Sequence, residues 1–345
     1  MMLHDLEPSG AVPAGWALPS AAGLPVAAHD IASALARSPS FTSASVQVTE
    51  VMCRVGVGDR AGAHVGVNAH EYVVTGAHHI VLPRDGALAC SVQREVDARV
   101  VVDSAMALVV APGQRVRIRN ATPSDHAATV ITVTPALLDL AGDEAMNTRC
   151  TPFGAIVLSP AALLDAQRVR CLANMIREVR PRHPEAAAAT LASATVALLR
   201  HFVPAHDRTA STTTAAGWRS TSRSVRAADA VRAMLAAEPG AQHTLDGISA
   251  RVGISPFHLA RVFRARTGFS IHQYLVHIRM ARALLVLGDG DTSLSRLALT
   301  LGFCSHSHFA TTFRRHFGRT PRDVRAMLRA WPTEPQTMDR CACMD

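Results

Sequence analysis

The stretch Leu301–Pro321, "LGFCSHSHFATTFRRHFGRTP", sets Phe309, Phe313 and Phe317 four residues apart. At 3.6 residues per turn, that spacing draws one aromatic stripe down a helix. The other face would carry His306, Ser307, Ala310, Thr311 and Arg314, hydrogen-bonding groups and positive charge with no carboxylate to balance them. A solvated surface would account for one such helix standing alone, so its surroundings decide what the polar face is for.

Those surroundings repeat. Leu245, Ile248, Val252, Gly253 and Ile254 recur as Leu294, Leu297, Leu301, Gly302 and Phe303 at a constant offset of 49. After one inserted residue the offset becomes 50, and Leu259, Phe263, Arg264 and Gly268 match Phe309, Phe313, Arg314 and Gly318. Two copies of one supersecondary unit are present. Each copy predicts a short helix with apolar positions at i, i+3 and i+7, closed by Gly253 or Gly302 in the left-handed backbone that ends a helix. Ser255 or Ser305 then stands where a second helix needs its N-cap, and in the first copy Pro256 occupies the opening position. Between the copies, residues 270–287, "SIHQYLVHIRMARALLVL", carry Ile271, Tyr274, Leu275, Ile278, Ala281 and Leu285 at helical spacing, so one rigid helix joins the units. The pattern is a double helix-turn-helix, and the second helix of such a unit is the one that fits a DNA major groove.

Charge follows the same division. Residues 1–217 hold 17 Arg against 18 acidic residues, whereas residues 218–345 hold 18 Arg against 9, a local net charge of +9. A region so unbalanced concentrates polyanions, of which nucleic acid is the commonest. A membrane surface is a poorer partner, because no Arg-rich helix carries the continuous bulky apolar face that interfacial binding needs. The 7 cysteines are odd in number and scattered, unlike a secreted disulfide framework. Asp5 and Glu7 interrupt any signal-peptide pattern, and no apolar run is long enough to span a bilayer. The expectation is a cytoplasmic protein with reduced thiols.

With 345 residues and 48% hydrophobic composition, the chain suits two or three domains with real cores. Residues 1–40, rich in Ala, Pro and Gly, read as a flexible arm. Residues 41–204 read as a β-rich domain with a helical hairpin: Val-rich, partly alternating runs predict a small antiparallel barrel or sandwich, barrel-like and cupin-like in class. Within it, Val116, Arg117, Ile118 and Arg119 alternate as a strand with one wet face should. Two Ala/Leu-rich helices are predicted to open at Pro160 and Pro184, and their apolar face is the kind that mediates a homodimer. Residues 205–222 form a polar linker, 223–330 the all-α double helix-turn-helix domain, and 331–345 a tail. The fold class is thus a multi-domain α and β protein.

His64, His70, Glu71, His78, His79 and His126 raise a metal-binding cupin, but His70 and Glu71 would point to opposite faces of a strand. These histidines are read as ordinary loop or surface residues, with no metal and no cofactor expected. Cys341 and Cys343 lie in the tail without converging ligands, and Cys304 is read as a small buried residue in a turn. No nucleophile elbow, phosphate loop or H-E-x-x-H motif is present. An enzyme is not expected; the alternative kept open is a β-barrel enzyme or metal-binding cupin fused to a DNA-binding tail.

Residues from about 225 to 328 resemble the DNA-binding domain of AraC/XylS-type bacterial transcription regulators. The likeness is most specific over "SLSRLALTLGFCSHSHFATTFRRHFGRTPRDVR", including Gly302-Phe303, Ser307, Phe309, Phe313, Gly318 and Thr320-Pro321. The resemblance implies two recognition helices in successive major grooves, and an N-terminal domain that senses a small effector or mediates dimerisation. RNA polymerase is a further partner it raises. Carried onto this sequence, the base-reading positions are Phe257, Ala260 and Arg261 in the first unit and His306, Ser307, His308 and Thr311 in the second. Arg261 is the best candidate for specific readout, since a guanidinium can bond guanine O6 and N7 together. Phe257 suits a thymine methyl or, equally, a core position. Ser255, Arg264, Ser305, Arg314 and Arg315 are assigned to phosphates, which orient a protein without specifying sequence.

Overall fold

The computed structural model describes residues 36–37, 41–42, 46–53, 70–74, 76–92, 98–122, 126–140, 154–179, 181, 183–202, 222–290 and 292–330. Most of the expected arm, most of the linker, the tail, His64, Cys341 and Cys343 lie outside them. Strands β1 (Ala36–Arg37), β2 (Phe41–Thr42), β3 (Val46–Cys53), β5 (His78–Pro83), β8 (Met106–Val110), β10 (His126–Val133) and β11 (Gly154–Val157) form one sheet. Its order is β1-β3-β10-β5-β8-β11, with β2 also paired to β3. A second sheet runs β4-β9-β6-β7, from β4 (His70–Val73), β9 (Arg115–Asn120), β6 (Ala87–Val92) and β7 (Ala98–Asp103). Every pairing is antiparallel. Residues 36–37, expected within the loose arm, instead pair with Val51 and Met52.

The strands thus make two sheets and do not close into one barrel. Val51, Val81, Leu88, Val102, Leu108, Val116 and Ile118 fill the space between them. Ile80, Leu82, Ile131 and Val133 point the other way, under helices. That division follows from strand alternation, which sends Val81 to one face and its neighbours Ile80 and Leu82 to the opposite one. On β9, Val116 is buried and Arg117 exposed, as the alternating sequence implied.

After α1 (Pro135–Leu140), α2 (Pro160–Val179) and α3 (Pro184–Leu199) open at the two expected prolines. Arg170 on α2 enters the buried layer, where Nε donates to Thr129 Oγ1 at 2.9 Å and Nη2 to the Leu82 carbonyl at 3.0 Å. The C-terminal region then contributes α4 (Ser222–Ala237), α5 (Leu245–Val252), α6 (Pro256–Thr267), α7 (Ile271–Asp289), α8 (Leu294–Thr300), α9 (His306–Phe317) and α10 (Pro321–Arg329). Its apolar side chains meet those of the sheet and α2 in one cluster reaching from Val46 to Leu328. Gly288 of α7 lies so close to α2 that a Cβ there would collide with Gln167 and Cys171.

The histidines depart from expectation. His78, His79 and His126 are buried, not surface groups, because β5 and β10 are interior strands of the larger sheet. Burial lowers the His78 imidazole, and burial with His78 alongside pushes His79 down to about 4. His126 Nε2 bonds the Thr122 hydroxyl, and the ring packs beneath Gly86. Among the described residues, no three His, Cys, Asp or Glu side chains converge as a metal site would require. No helix among the described residues is long and apolar enough to cross a membrane.

Candidate nucleic-acid interface

The first unit is α5, a turn at Gly253 with φ 66°, and α6; the second is α8, a turn at Gly302 with φ 76°, and α9. Positive φ is strained for a side chain bearing a Cβ, so glycine at both turns sets the angle between paired helices. The helices are started differently. Ser305 Oγ accepts the His308 amide at 3.1 Å, whereas Ser255 makes no side-chain cap bond. Pro256, with its φ already fixed for a helix, supplies the entry that Ser255 was expected to cap.

The aromatic stripe of the opening stretch is the inner face of α9. Phe309, Phe313 and Phe317 are buried, with ring centroids 5.7 Å and 4.6 Å apart, and Phe303 joins them 5.5 Å from Phe309. Burying each ring contributes about 1.5–3 kcal/mol, which orients the helix firmly. Its outer face presents His306, Ser307, His308, Thr311, Arg314 and Arg315, all exposed. The first unit repeats the arrangement: Leu259, Val262 and Phe263 are buried, while Ser255, Arg261 and Arg264 are exposed and Ala260 is half-buried. Phe257 is 79% exposed, which excludes the core position its sequence left open.

Cys304 is also exposed, contrary to its expected burial, because Phe303 takes the inward position in the turn. Its Sγ lies 3.2 Å from His308 Nδ1, and the His308 ring sits edge-on to Phe303 at 5.3 Å. His308 is therefore held against the start of α9.

Arg279, on α7, went unnoticed in the sequence. Its Nε donates to the Pro239 carbonyl at 2.7 Å, Nη2 to Ala241 at 3.2 Å and Nη1 to Gly302 at 3.3 Å, with the guanidinium 5.5 Å from the Phe303 ring. One buried side chain thereby ties the loop leading into the first unit to the turn of the second. Burial lowers its pKa to about 10, well above neutrality, so it stays charged. The only sequence signal was an arginine between the apolar residues Ile278 and Met280 of α7. Arg223 makes a further tie, donating to the Gly253 carbonyl at 2.7 Å.

Two recognition-type helices, each with an apolar inner face and a polar outer face rich in arginine, define a double helix-turn-helix protein. Residues 248–327 match the family model described as a helix-turn-helix domain. Over 80 residues the chain is 35% identical to the HTH-type transcriptional activator RhaS of Escherichia fergusonii, covering 23% of this chain and 29% of that protein. The chain thus spans less than a third of the curated relative's length. A transcriptional regulator from Chromobacterium violaceum, described among AraC-type DNA-binding domain-containing proteins, is 33% identical, covering 30% of this chain and 91% of that one, with a TM-score of 0.28. ToxT from Vibrio cholerae O395 is 11% identical over 83% of this chain and 99% of that chain, with a TM-score of 0.33, a likeness too distant to carry an argument. The C-terminal region is thus a helix-turn-helix domain, similar in sequence to that of an HTH-type transcriptional activator.

Proposed function

We propose that the protein is a sequence-specific, non-enzymatic transcription regulator whose helices α6 and α9 read successive major grooves of duplex DNA. The observation that carries this reading is the division of each helix: aromatic and aliphatic side chains inward, and arginine, histidine, serine and threonine outward with no carboxylate on either outer face. Arg261 and the exposed Phe257 are read as base contacts with half-buried Ala260 beside them, and His306, Ser307, His308 and Thr311 as their counterparts. Ser255, Arg264, Ser305, Arg314 and Arg315 are read as phosphate contacts. The two-sheet domain is read as a cupin-like receptor for a small effector, or as the homodimer contact, in a cytoplasmic protein. Its facing sheets with an apolar interior support that role.

Footprinting on genomic fragments selected by the purified protein tests this division of labour. Arg261→Ala is expected to weaken specific binding by about 1–3 kcal/mol and relax preference at one base position. Arg314→Ala is expected to weaken binding to all sequences and reduce the salt slope by about one unit. Equal loss of discrimination in both variants would contradict the assignment.

A further inference from the structure

The helix that joins the two units is also the surface on which the sheet domain is seated. At its N-terminal end, the Tyr274 hydroxyl donates to Asp103 Oδ2 at 2.6 Å, and the Ala105 amide donates to Oδ1 at 2.9 Å. Asp103 ends β7, just before the turn into β8, and is 0% exposed. Arg232 of α4 approaches the same strand, with Nη1 donating to the Val101 carbonyl at 3.0 Å and Nη2 paired to Asp229. Midway along α7, His277 Nε2 donates to the Leu158 carbonyl at 2.8 Å. That tautomer leaves Nδ1 to accept from His316 Nε2 of α9 at 3.0 Å. At the C-terminal end, Arg84 from the β5–β6 turn pairs with Asp289 and, at 3.3 Å, with Glu50, while Arg282 donates to the Arg84 carbonyl.

These contacts reach α4, which packs against α6 of the first unit, then α7 between the units and, through His277, α9 of the second. The placement of one reading helix relative to the other is therefore fixed by the sheet domain as well as by α7. None of the DNA-facing side chains is enclosed by these contacts: Phe257, Arg261, His306, Ser307, His308 and Thr311 are all exposed. An arrangement that hid the reading surface would have to cover some of them. We propose that Asp103 and Tyr274 are positioning residues for DNA reading, holding the two recognition helices at the separation that suits adjacent grooves. The docked arrangement is then the reading-competent one. The proposal rests on the DNA-reading function given above.

Tyr274→Phe removes only the hydroxyl, leaving a ring that packs 5.5 Å from Phe263 and 6.0 Å from Phe269. With full-length protein and a selected DNA site, this variant is expected to bind about fivefold more weakly, because a smaller fraction of molecules holds the competent arrangement. On sites lengthened or shortened by one base pair between the two half-elements, the loss is expected to be under about twofold, so spacing discrimination falls. Asp103→Ala should act in the same direction and add little to the loss of spacing discrimination in the double variant, since both remove the bond between Tyr274 and Asp103; its further loss of the Ala105 contact should lower the melting temperature. Val116→Ala, a cavity between the sheets remote from the joining helix, should lower the melting temperature and leave spacing preference unchanged. Wild-type affinity and spacing preference in Tyr274→Phe would overturn the proposal, as would tighter binding, which would make the contact inhibitory. Failure of the wild type itself to bind any sequence specifically would instead remove the function on which the proposal rests, and the proposal with it.

Discussion

Where the first unit buries Leu259 and Phe263, the second buries Phe309 and Phe313; at the matching outer positions, Phe257 and Arg261 of the first stand against Ser307 and Thr311 of the second. The inner positions repeat because both units solve one packing problem, a pair of helices closed over a glycine turn. The outer positions are released from that constraint and diverge. The first unit offers a guanidinium and an exposed ring, and the second a row of small hydrogen-bonding groups. One skeleton thus presents two chemistries on its outer faces.

The sharpest way to break this contrast is to exchange an inner for an outer phenylalanine. Phe313→Ala should cost about 3–5 kcal/mol of stability through the cavity it leaves. Phe257→Ala should stay within about 0.5 kcal/mol of wild type and weaken DNA binding instead. Chemical denaturation alongside DNA titration checks both, and a large stability loss in Phe257→Ala would place that ring in the core after all. Next in size is Arg279→Met, which removes the buried tie between the units. It is expected to cost about 2–3 kcal/mol, in keeping with hydrogen bonds from a charged donor, and thermal melts would show it.

Acid should act unevenly on the two units. The His277 and His316 imidazoles at the second unit are pushed by burial to about 4 and about 3, below the ordinary 6.5. The unfolded chain therefore binds more protons between those values, so the stability is fully present above pH 6.5 and is lost as pH falls toward 4. His79 in the sheet domain, also near 4, adds to the same trend. His316→Gln is expected to make the loss shallower between pH 6.5 and 4, measured as unfolding midpoint against pH. The smallest effect concerns the helix starts. Ser305→Ala should cost about 1 kcal/mol and Ser255→Ala only a few tenths, because only Ser305 caps an amide. Equal costs would mean that Pro256 does not substitute for the cap.

The helix-turn-helix repeat was legible because its determinants are local: glycine at a fixed place, apolar residues at helical spacing, and a serine or proline opening the next helix. The hairpin starts at Pro160 and Pro184 were legible for the same reason. Strands β6, "ALACSV", and β11, "GAIV", left little trace, since short runs of small apolar residues carry neither clear alternation nor a strong β-branched signal. Whether the strands close into a barrel depends on pairings such as Ile80 with Ile131, fifty-one residues apart, which no local pattern encodes. At the candidate site, helical phase marked the polar face of α9, while the base-reading positions came from the family resemblance and the outward placement of Phe257 was left open. The groups that position them left no such mark: neither Asp103 at the end of β7 nor Arg279 on α7 belongs to a local motif. Their partners come from distant segments, and nothing beside them in the chain announces a buried charge.

Guanine methylation interference on a selected DNA fragment tests the central claim most directly, because it reports contact in the major groove base by base. Two clusters of interference are expected on one face of the duplex, their centres about 10–10.5 base pairs apart, with Arg261→Ala silencing a position in only one cluster. A single cluster, or two that both survive when the outer faces of α6 and α9 are stripped to alanine, would contradict reading by paired helices.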